Sequence, residues 1–188
     1  MRNASRAYRV FLAFFRLICS AFFRTVVVTG REHIPDDRGG IVVSWHPNGL
    51  VDPGLILTQF PHPIVFGARH GIFKTPILGS IMRAIGTVPI YRAVDLKNAD
   101  PAERRQANLK SLRALAERIA EGSFSALFPE GLSHDAPHLL ELKTGAARLY
   151  YQARALQPAD APAAVIIPVG RHSDDTDIFR TRALVEFY

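Results

Sequence analysis

The sequence predicts a single α/β domain with a largely parallel or mixed central sheet flanked by helices, preceded by an N-terminal amphipathic helix or helix pair. The chain has 188 residues, of which 48% are hydrophobic and 21% charged, a size and composition that fit one domain with a real core. Short apolar runs alternate with helix-like segments, as they do in sheets built largely from parallel strands. No repeat, low-complexity stretch or linker divides the sequence.

In the first half of the chain, proline and glycine separate the predicted elements. Asp52 before Pro53 is typical of a helix N-cap with proline in the first turn, so we expect a short helix that ends near Gln59. Apolar spacing predicts the other elements of this half, which are strands at 25–30, 41–45, 64–68 and 87–91 and a helix at 73–85.

The second half begins with the clearest helix of the chain. Apolar residues at Leu109, Leu112, Ala116 and Ile119 share one face of a helix over 102–121, and Gly122 is suited to end it. The remaining predicted elements are strands at 124–128, 164–170 and 183–188 and a helix at 142–156.

The net charge of +6 is concentrated at the N-terminus. Residues 1–31 contain six arginines and no acidic residue, whereas the rest of the chain has 17 basic and 17 acidic residues. The arginines alternate with aromatic and aliphatic side chains, a pattern typical of a helix that lies in the interface of an anionic membrane. We therefore expect a membrane-associating helical segment at 1–24, followed by the α/β domain at 25–188.

Other interpretations of this segment remain open. A helix packed on the domain's own core explains its amphipathic pattern equally well. Arg16 lies near the middle of the apolar run and argues against both a membrane span and a secretory signal.

The basic residues are not gathered in a known nucleic-acid-binding module, so we expect no nucleic-acid partner. The single Cys19 excludes an internal disulfide and a cysteine-rich metal site.

The segment that follows the strand at 41–45 contains a histidine and an aspartate six positions apart, His46 and Asp52. The turn residues at 47–49 supply the non-helical geometry that would let the two side chains meet. His46 could then take a proton from a hydroxyl group while Asp52 orients the imidazole. On spacing alone we favour a simpler interpretation, in which Asp52 caps the helix and His46 hydrogen-bonds a carbonyl.

Further candidates lie where ligands bind in such sheets, after the carboxyl ends of strands. In FPEG at 128–131, Glu130 could bond a ligand hydroxyl or a neighbouring loop amide, although a turn with a solvated glutamate is the simpler interpretation. Lys74, Arg92 and Lys143 lie near predicted strand or helix ends, where basic side chains can together hold a phosphate. Singly, each is typical of a solvated surface charge.

Several sharper motifs are excluded. GLSHD at 131–135 lacks the second glycine of a nucleophile elbow, and KTG at 143–145 has no S-x-x-K elsewhere in the chain. Neither a Walker A loop nor H-E-x-x-H occurs. His134 and His138 have a possible ligand spacing, but Pro137 argues against the helix that would align them. We therefore expect no metal site.

Taken in order, these blocks resemble the glycerolipid acyltransferase superfamily of glycerol-3-phosphate and lysophosphatidate acyltransferases, from about residue 28 to the end of the chain. The resemblance implies that His46 is the general base and Asp52 its orienting partner. The common family spacing has four intervening residues, whereas this chain has five. That departure resembles the HPN-type branch, which includes many bacterial members and the fungal glycerol-3-phosphate acyltransferases.

The later blocks imply substrate-binding residues. GTVPIYR at 86–92 resembles the second family block, which assigns Arg92 to the acceptor's phosphate. FPEG resembles the third block and implies acceptor binding by Glu130 and Gly131. VIIPVG at 165–170 resembles the fourth block, whose proline is linked with the acyl chain, and this implies a role for Pro168.

One departure affects the phosphate contact. The commoner family form continues the third block with threonine and arginine, but Leu132 and Ser133 stand here. The contact made by that arginine would then pass to Lys143, His134 or Lys74.

The resemblance implies an enzyme of phospholipid biosynthesis that needs no cofactor. It would move an acyl group from acyl-CoA or acyl-carrier protein to a hydroxyl of lysophosphatidate or glycerol-3-phosphate, by direct transfer without an acyl-enzyme. It also favours membrane contact for residues 1–24, at the cytoplasmic face of the inner membrane. Family members continue past the strand at which this sequence stops, so we expect a truncated form or a short relative.

Two alternatives remain open beside this enzyme. One is a lipid-binding protein of the same fold without turnover, against which the retention of His46 and Asp52 argues. The other is a hydrolase of acyl thioesters.

Overall fold

The computed structural model describes residues 4–45, 51–90, 100–131, 136, 138–173 and 179–188, and of Asp52, Arg69, Arg104 and Ser173 it describes the backbone. These residues form five α-helices and seven β-strands, in line with the predicted class. The helices are α1 (Arg6–Phe22), α2 (Val51–Gln59), α3 (Pro76–Ala84), α4 (Pro101–Ala120) and α5 (Gly145–Leu156). The strands are β1 (Phe23–Thr29), β2 (Gly40–Ser44), β3 (Ile64–Arg69), β4 (Val88–Ile90), β5 (Phe124–Leu127), β6 (Val165–Ser173) and β7 (Thr181–Phe187). Short 3₁₀ helices occupy Arg31–His33 and His70–Lys74.

The described strands form one sheet in the order β1-β7-β6-β2-β5-β3-β4. The β6–β7 pair is antiparallel and the other neighbouring strands are parallel, so the sheet is mixed, as predicted. In the centre, Val43 of β2 pairs with Leu127 of β5 on one side and with Pro168 of β6 on the other. The carboxyl ends of these three strands therefore lie at the same edge of the sheet.

Helices cover both faces of the sheet. The core beneath α1 and α2 includes Val42, whereas the core beneath α4 and α5 includes Ile41, its neighbour in β2. Successive side chains of a strand point to opposite faces, so both of these side chains can be buried at once. Burial of both faces of β2 explains why its sequence is a continuous apolar run.

Helix α1 packs on the domain along one face and exposes another. Tyr8 and Leu12 contact Leu57 of α2, and the Tyr8 hydroxyl accepts a hydrogen bond of 2.9 Å from the backbone N–H of Ile64. Burial raises the pKa of Tyr8. Four apolar side chains of α1 remain exposed by 42 to 71%, and these are Val10, Phe14, Leu17 and Ile18. Core packing thus accounts for one face of α1 and leaves an apolar face uncovered by the described residues.

One helix or a helix pair was predicted for the N-terminal segment. The described part of this segment contains a single helix, α1. Helix α1 ends at Phe22, two residues before the predicted boundary at residue 24. Of the helices in the described ranges, none has the length and hydropathy needed to cross a bilayer.

Two predicted helices begin later than their apolar spacing indicates. The helix predicted over 73–85 is confirmed as α3, but its predicted start was wrong, because a 3₁₀ turn ends at Lys74 and α3 begins only at Pro76. Proline has no N–H to donate and therefore suits the first helical turn. Helix α5 begins at Gly145 rather than at residue 142, since the backbone N–H of Lys143 donates to the carbonyl of Pro129 at 2.8 Å.

His62 is partly buried at the amino end of the sheet. Its ring stacks on Phe124 with centroids 5.2 Å apart, and its Nε2 lies 3.3 Å from Oδ1 of Asp36. Burial lowers the pKa of His62, and the nearby Asp36 carboxylate opposes that shift. Folding therefore favours the neutral imidazole.

We expect Tyr8→Phe to lower the free energy of unfolding by about 1–3 kcal/mol, because the buried N–H of Ile64 loses its acceptor while the ring is kept. Urea unfolding measures this change. Tyr151→Phe is the matched control, since the Tyr151 side chain is 71% exposed, and its effect should be small. Equal stabilities of the two variants would contradict the structural role of the Tyr8 hydroxyl.

We expect His62 to make the protein less stable in acid. Its pKa is lower in the folded state than in the unfolded state, so the unfolded state takes up the proton more readily as the pH falls through about 6.5. His62→Phe keeps the stacked ring and should lose this part of the pH dependence. Urea unfolding of both proteins between about pH 8 and about pH 5 tests the difference, and parallel stability curves would contradict it.

Candidate functional site

The candidate site lies at the carboxyl ends of the parallel strands β2, β5 and β3. The segment after β2 carries His46, which lies outside the described residues, and the segment after β5 is FPEG at 128–131. Val43 pairs with Leu127, so β2 and β5 end at nearly the same level. The two segments therefore leave the sheet from neighbouring strand ends, in the region where ligands bind in such sheets.

Glu130 is buried, with 1% of its surface exposed, and the interpretation as a solvated glutamate was wrong. Its Oε1 accepts a hydrogen bond of 2.8 Å from the backbone N–H of Leu140. A loop amide was one of the two predicted partners of this carboxylate, and that contact is confirmed. A buried carboxylate depends on such donors, so Glu130 fixes the following loop against the end of β5. Its contact with a substrate stays a prediction.

Gly131 and Lys143 meet at this turn. Gly131 has φ +74°, in the left-handed region that glycine adopts at little cost, and its N–H donates to the carbonyl of Phe128 at 3.0 Å. A Cβ added at Gly131 would lie 3.0 Å from Nζ of Lys143. The ammonium group of Lys143 therefore lies against the FPEG turn. These three predicted residues, Glu130, Gly131 and Lys143, are brought together.

Of the other predicted substrate-binding residues, the structure describes Lys74 and Pro168. Lys74 ends the 3₁₀ helix after β3 and is exposed. Pro168 is exposed beside Val43, in the same row of the sheet as Leu127. Arg92 lies outside the described residues, as do Leu132, Ser133 and His134. A joint phosphate site therefore stays a prediction.

Asp52 lies within α2 rather than capping it, because the described helix begins at Val51. The N-cap prediction was wrong, although proline at the next position is still tolerated in a first turn. The partnership of Asp52 with His46 involves atoms outside the described residues and stays a prediction. Pro53 and Gly54 line one cavity with Phe66 and Ala68 of β3. The start of α2 is thus placed near the carboxyl end of β3.

That cavity is an apolar groove of about 120 Å³ between α1, α2, α3 and β3, here named the apolar groove. Motif analysis missed it because its residues come from distant parts of the chain. The glycine at position 54 is a sequence feature that fits the close packing beside this groove, since a Cβ there would lie 3.0 Å from the ring of Phe15. The lining residues are Phe11, Phe15, Pro53, Gly54, Leu57, Phe66, Ala68, Met82, Ile85 and Thr87.

A larger cavity of about 380 Å³ lies at the opposite edge of the sheet, at the amino ends of β3 and β5. Its lining is mixed in charge and includes Arg38, Arg83, Arg118, Asp36 and Glu121. Despite its size, it is separated by the length of the strands from the segments that carry the predicted motifs. The smaller groove is therefore the better candidate for a substrate.

We expect Glu130→Ala to expose the loop at Leu140 and to lower the free energy of unfolding by about 1–3 kcal/mol, because the Leu140 N–H loses its acceptor. Glu130→Gln keeps an acceptor oxygen and is the matched control. Hydrogen exchange should show the Leu140 amide protected in the wild type and in Glu130→Gln but not in Glu130→Ala. Similar protection in all three proteins would contradict this role.

Comparisons with known proteins agree with the motifs and the fold. The family model Acyltransferase matches residues 25–171. A 1-acyl-sn-glycerol-3-phosphate acyltransferase of Borreliella burgdorferi is 24% identical over 66% of this chain and 45% of that protein. The glycerol-3-phosphate O-acyltransferase 2 of Saccharomyces cerevisiae is 32% identical over 61% of this chain and 15% of that protein. The chain thus spans less than half the length of these two curated relatives.

The crystal structure of the 1-acyl-sn-glycerophosphate acyltransferase PlsC from Thermotoga maritima superposes with a TM-score of 0.67. The match covers 96% of this chain and 67% of that chain at 22% identity, which shows a shared fold. The fold, the ordered motifs and a family match over residues 25–171 lead to one conclusion: this chain belongs to the Acyltransferase family, within the glycerolipid acyltransferase superfamily that its motifs resemble.

Proposed function

We propose that this chain moves a fatty acyl group from an acyl thioester to a hydroxyl of lysophosphatidate or glycerol-3-phosphate, as a step of phospholipid biosynthesis. The observation that carries the proposal is that His46, Asp52 and the FPEG turn all fall within the family match at residues 25–171. The segments that bear His46 and Glu130 follow paired strands. The names of the two curated relatives support the two acceptors.

In the proposed reaction, His46 takes the proton of the acceptor hydroxyl while that oxygen attacks the carbonyl carbon of the thioester. The carbon–sulfur bond then breaks, and the thiol of acyl-CoA or acyl-carrier protein leaves with the proton from His46. Asp52 orients the imidazole and stabilises its charged form. Transfer is direct, so no side chain needs to carry the acyl group and no metal or cofactor takes part.

The acceptor's phosphate is proposed to bind near the FPEG turn. Lys143 supports this assignment, because its ammonium group lies against Gly131 and hydrogen bonds from charged donors to phosphate are strong. Lys74 and Arg92 follow neighbouring strands β3 and β4 and would add to the positive charge. Glu130 holds the turn through Leu140. A fixed phosphate orients the hydroxyl and lowers the entropic part of the barrier.

The acyl chain and the membrane are proposed to meet on the side of α1. The apolar groove lies beside Pro53, the residue after Asp52. Pro168, exposed within β6, is a second candidate contact for the acyl chain. The exposed apolar face of α1 and the six arginines of residues 1–31 suit an anionic bilayer. We propose the cytoplasmic face of the inner membrane as the location.

The test is a panel of acyl donors and acceptors with the wild type and His46→Ala, in which the lipid products are identified by mass. Loss of the general base should reduce transfer by roughly 100-fold or more. His62→Phe is the matched control, because His62 lies at the amino end of the strands, and it should retain activity at neutral pH.

Other outcomes separate the competing functions. Unchanged transfer by His46→Ala would refute the general-base assignment. Binding to vesicles without transfer for any pair of substrates would identify a lipid-binding protein. Cleavage of the thioester without an acceptor would identify a hydrolase.

A further inference from the structure

Helix α3 carries an apolar face that the other described elements leave uncovered. Ile77, Leu78 and Ile81 are exposed by 80, 44 and 40%. The three side chains lie on a helix of only nine residues, whose one buried residue is Gly79. A cluster of large exposed apolar side chains on so short a helix is typical of an interaction surface.

This face lies next to α1. The Ser5 hydroxyl, at the start of α1, donates to the carbonyl of Ala84 at the end of α3 over 3.2 Å. Met82 and Ile85 line the apolar groove together with Phe11 and Phe15 of α1. The groove therefore has α1 on one side and α3 on another.

The exposed apolar faces of both helices continue outward from this groove. On α3, Leu78 and Ile81 stand one helical turn before Met82 and Ile85, which line the groove, and side chains four positions apart share a face. On α1, the exposed Phe14 and Ile18 lie three positions after Phe11 and Phe15, which line the groove. The groove thus lies between two exposed apolar strips.

The two sequence segments that contain these helices are positively charged. Residues 1–31 contain six arginines and no acid, and residues 53–94 contain four basic residues and no acid. Lys74 and Arg83 belong to the second segment, one just before α3 and one within it. Positive charge beside exposed apolar side chains is the combination that binds anionic phospholipids.

We propose that α3 is a second membrane-contacting element, whose Ile77, Leu78 and Ile81 enter the interface of an anionic bilayer together with the exposed face of α1. The apolar groove then opens toward the lipid between the two helices. An acyl chain passes from the bilayer into the groove without crossing water. This inference rests on the proposed function for the nature of the lipid substrate, and it adds the surface through which that substrate arrives.

The experiment measures binding of the full chain to vesicles of phosphatidylglycerol and phosphatidylethanolamine by co-sedimentation, without any substrate. The test variant is Ile77→Gln with Ile81→Gln. This variant should bind the vesicles at least roughly 10-fold more weakly, because two apolar side chains that would move from water into the bilayer on binding have been removed. The matched control is Tyr151→Gln with Leu156→Gln, which removes two exposed side chains of α5 on the opposite face of the sheet, and its binding should equal that of the wild type.

A second readout reports the depth of α3 directly. Ile81→Cys carrying an environment-sensitive fluorophore should shift its emission to the blue with these vesicles, and spin-labelled lipids should quench it. The native Cys19 is buried, so labelling is directed to position 81. Circular dichroism checks that each variant keeps the wild-type fold, as expected for exposed positions.

Three results would overturn the proposal. One is wild-type binding by the α3 variant with no quenching at position 81, while Phe14→Gln with Leu17→Gln on α1 loses binding. Another is a concentration-dependent dimer that the α3 variant abolishes while its vesicle binding is unchanged, which would make this face an interface between copies. The third is the absence of vesicle binding by the wild type. Each result is separate from the acyl-transfer panel, because no substrate is present.

Discussion

The pairing of β2 with β5 and β6 is the constraint on which the rest of the structure depends. Ile41 and Val42 are adjacent in β2 but belong to cores on opposite faces of the sheet. A shift of one residue in the register would exchange these faces and misplace the side chains of both cores. The register is therefore fixed, and with it the level at which β2, β5 and β6 end. The segments that carry His46 and FPEG follow β2 and β5 in the sequence, and Pro168 lies within β6.

Buried polar contacts reinforce this register close to the candidate site. The Ser44 hydroxyl, at the end of β2, donates to the carbonyl of Val169 in β6 at 2.9 Å. The Ser125 hydroxyl in β5 donates to the carbonyl of Val65 in β3, also at 2.9 Å. Satisfied polar groups in a buried position hold neighbouring strands in one relative placement, since any shift leaves them without partners. Glu130 extends the same principle beyond the sheet to the loop at Leu140.

The elements with a strong pattern were predictable from sequence, and those set by distant contacts were not. The apolar spacing in the sequence predicted helix α4, and Leu112, Ala116 and Ile119 are buried as expected. The start of α5 depends on a hydrogen bond from Lys143 to Pro129, 14 positions earlier, which apolar spacing does not contain. The burial of Glu130 likewise depends on a donor ten residues away. Local chemistry identified the residues of the FPEG turn but not their surroundings.

The packing of α1 on α2 links the proposed membrane surface to the proposed chemistry. Gly54 lies two residues after Asp52, and any side chain there would press against the ring of Phe15 in α1. Glycine at this position therefore favours the close approach of the two helices. The Tyr8 hydroxyl holds the other end of α1 against the start of β3. With both contacts in place, the exposed face of α1 has a fixed position relative to α2. In the proposed function, the position of the membrane surface relative to α2, and so to Asp52, is then set by helix packing.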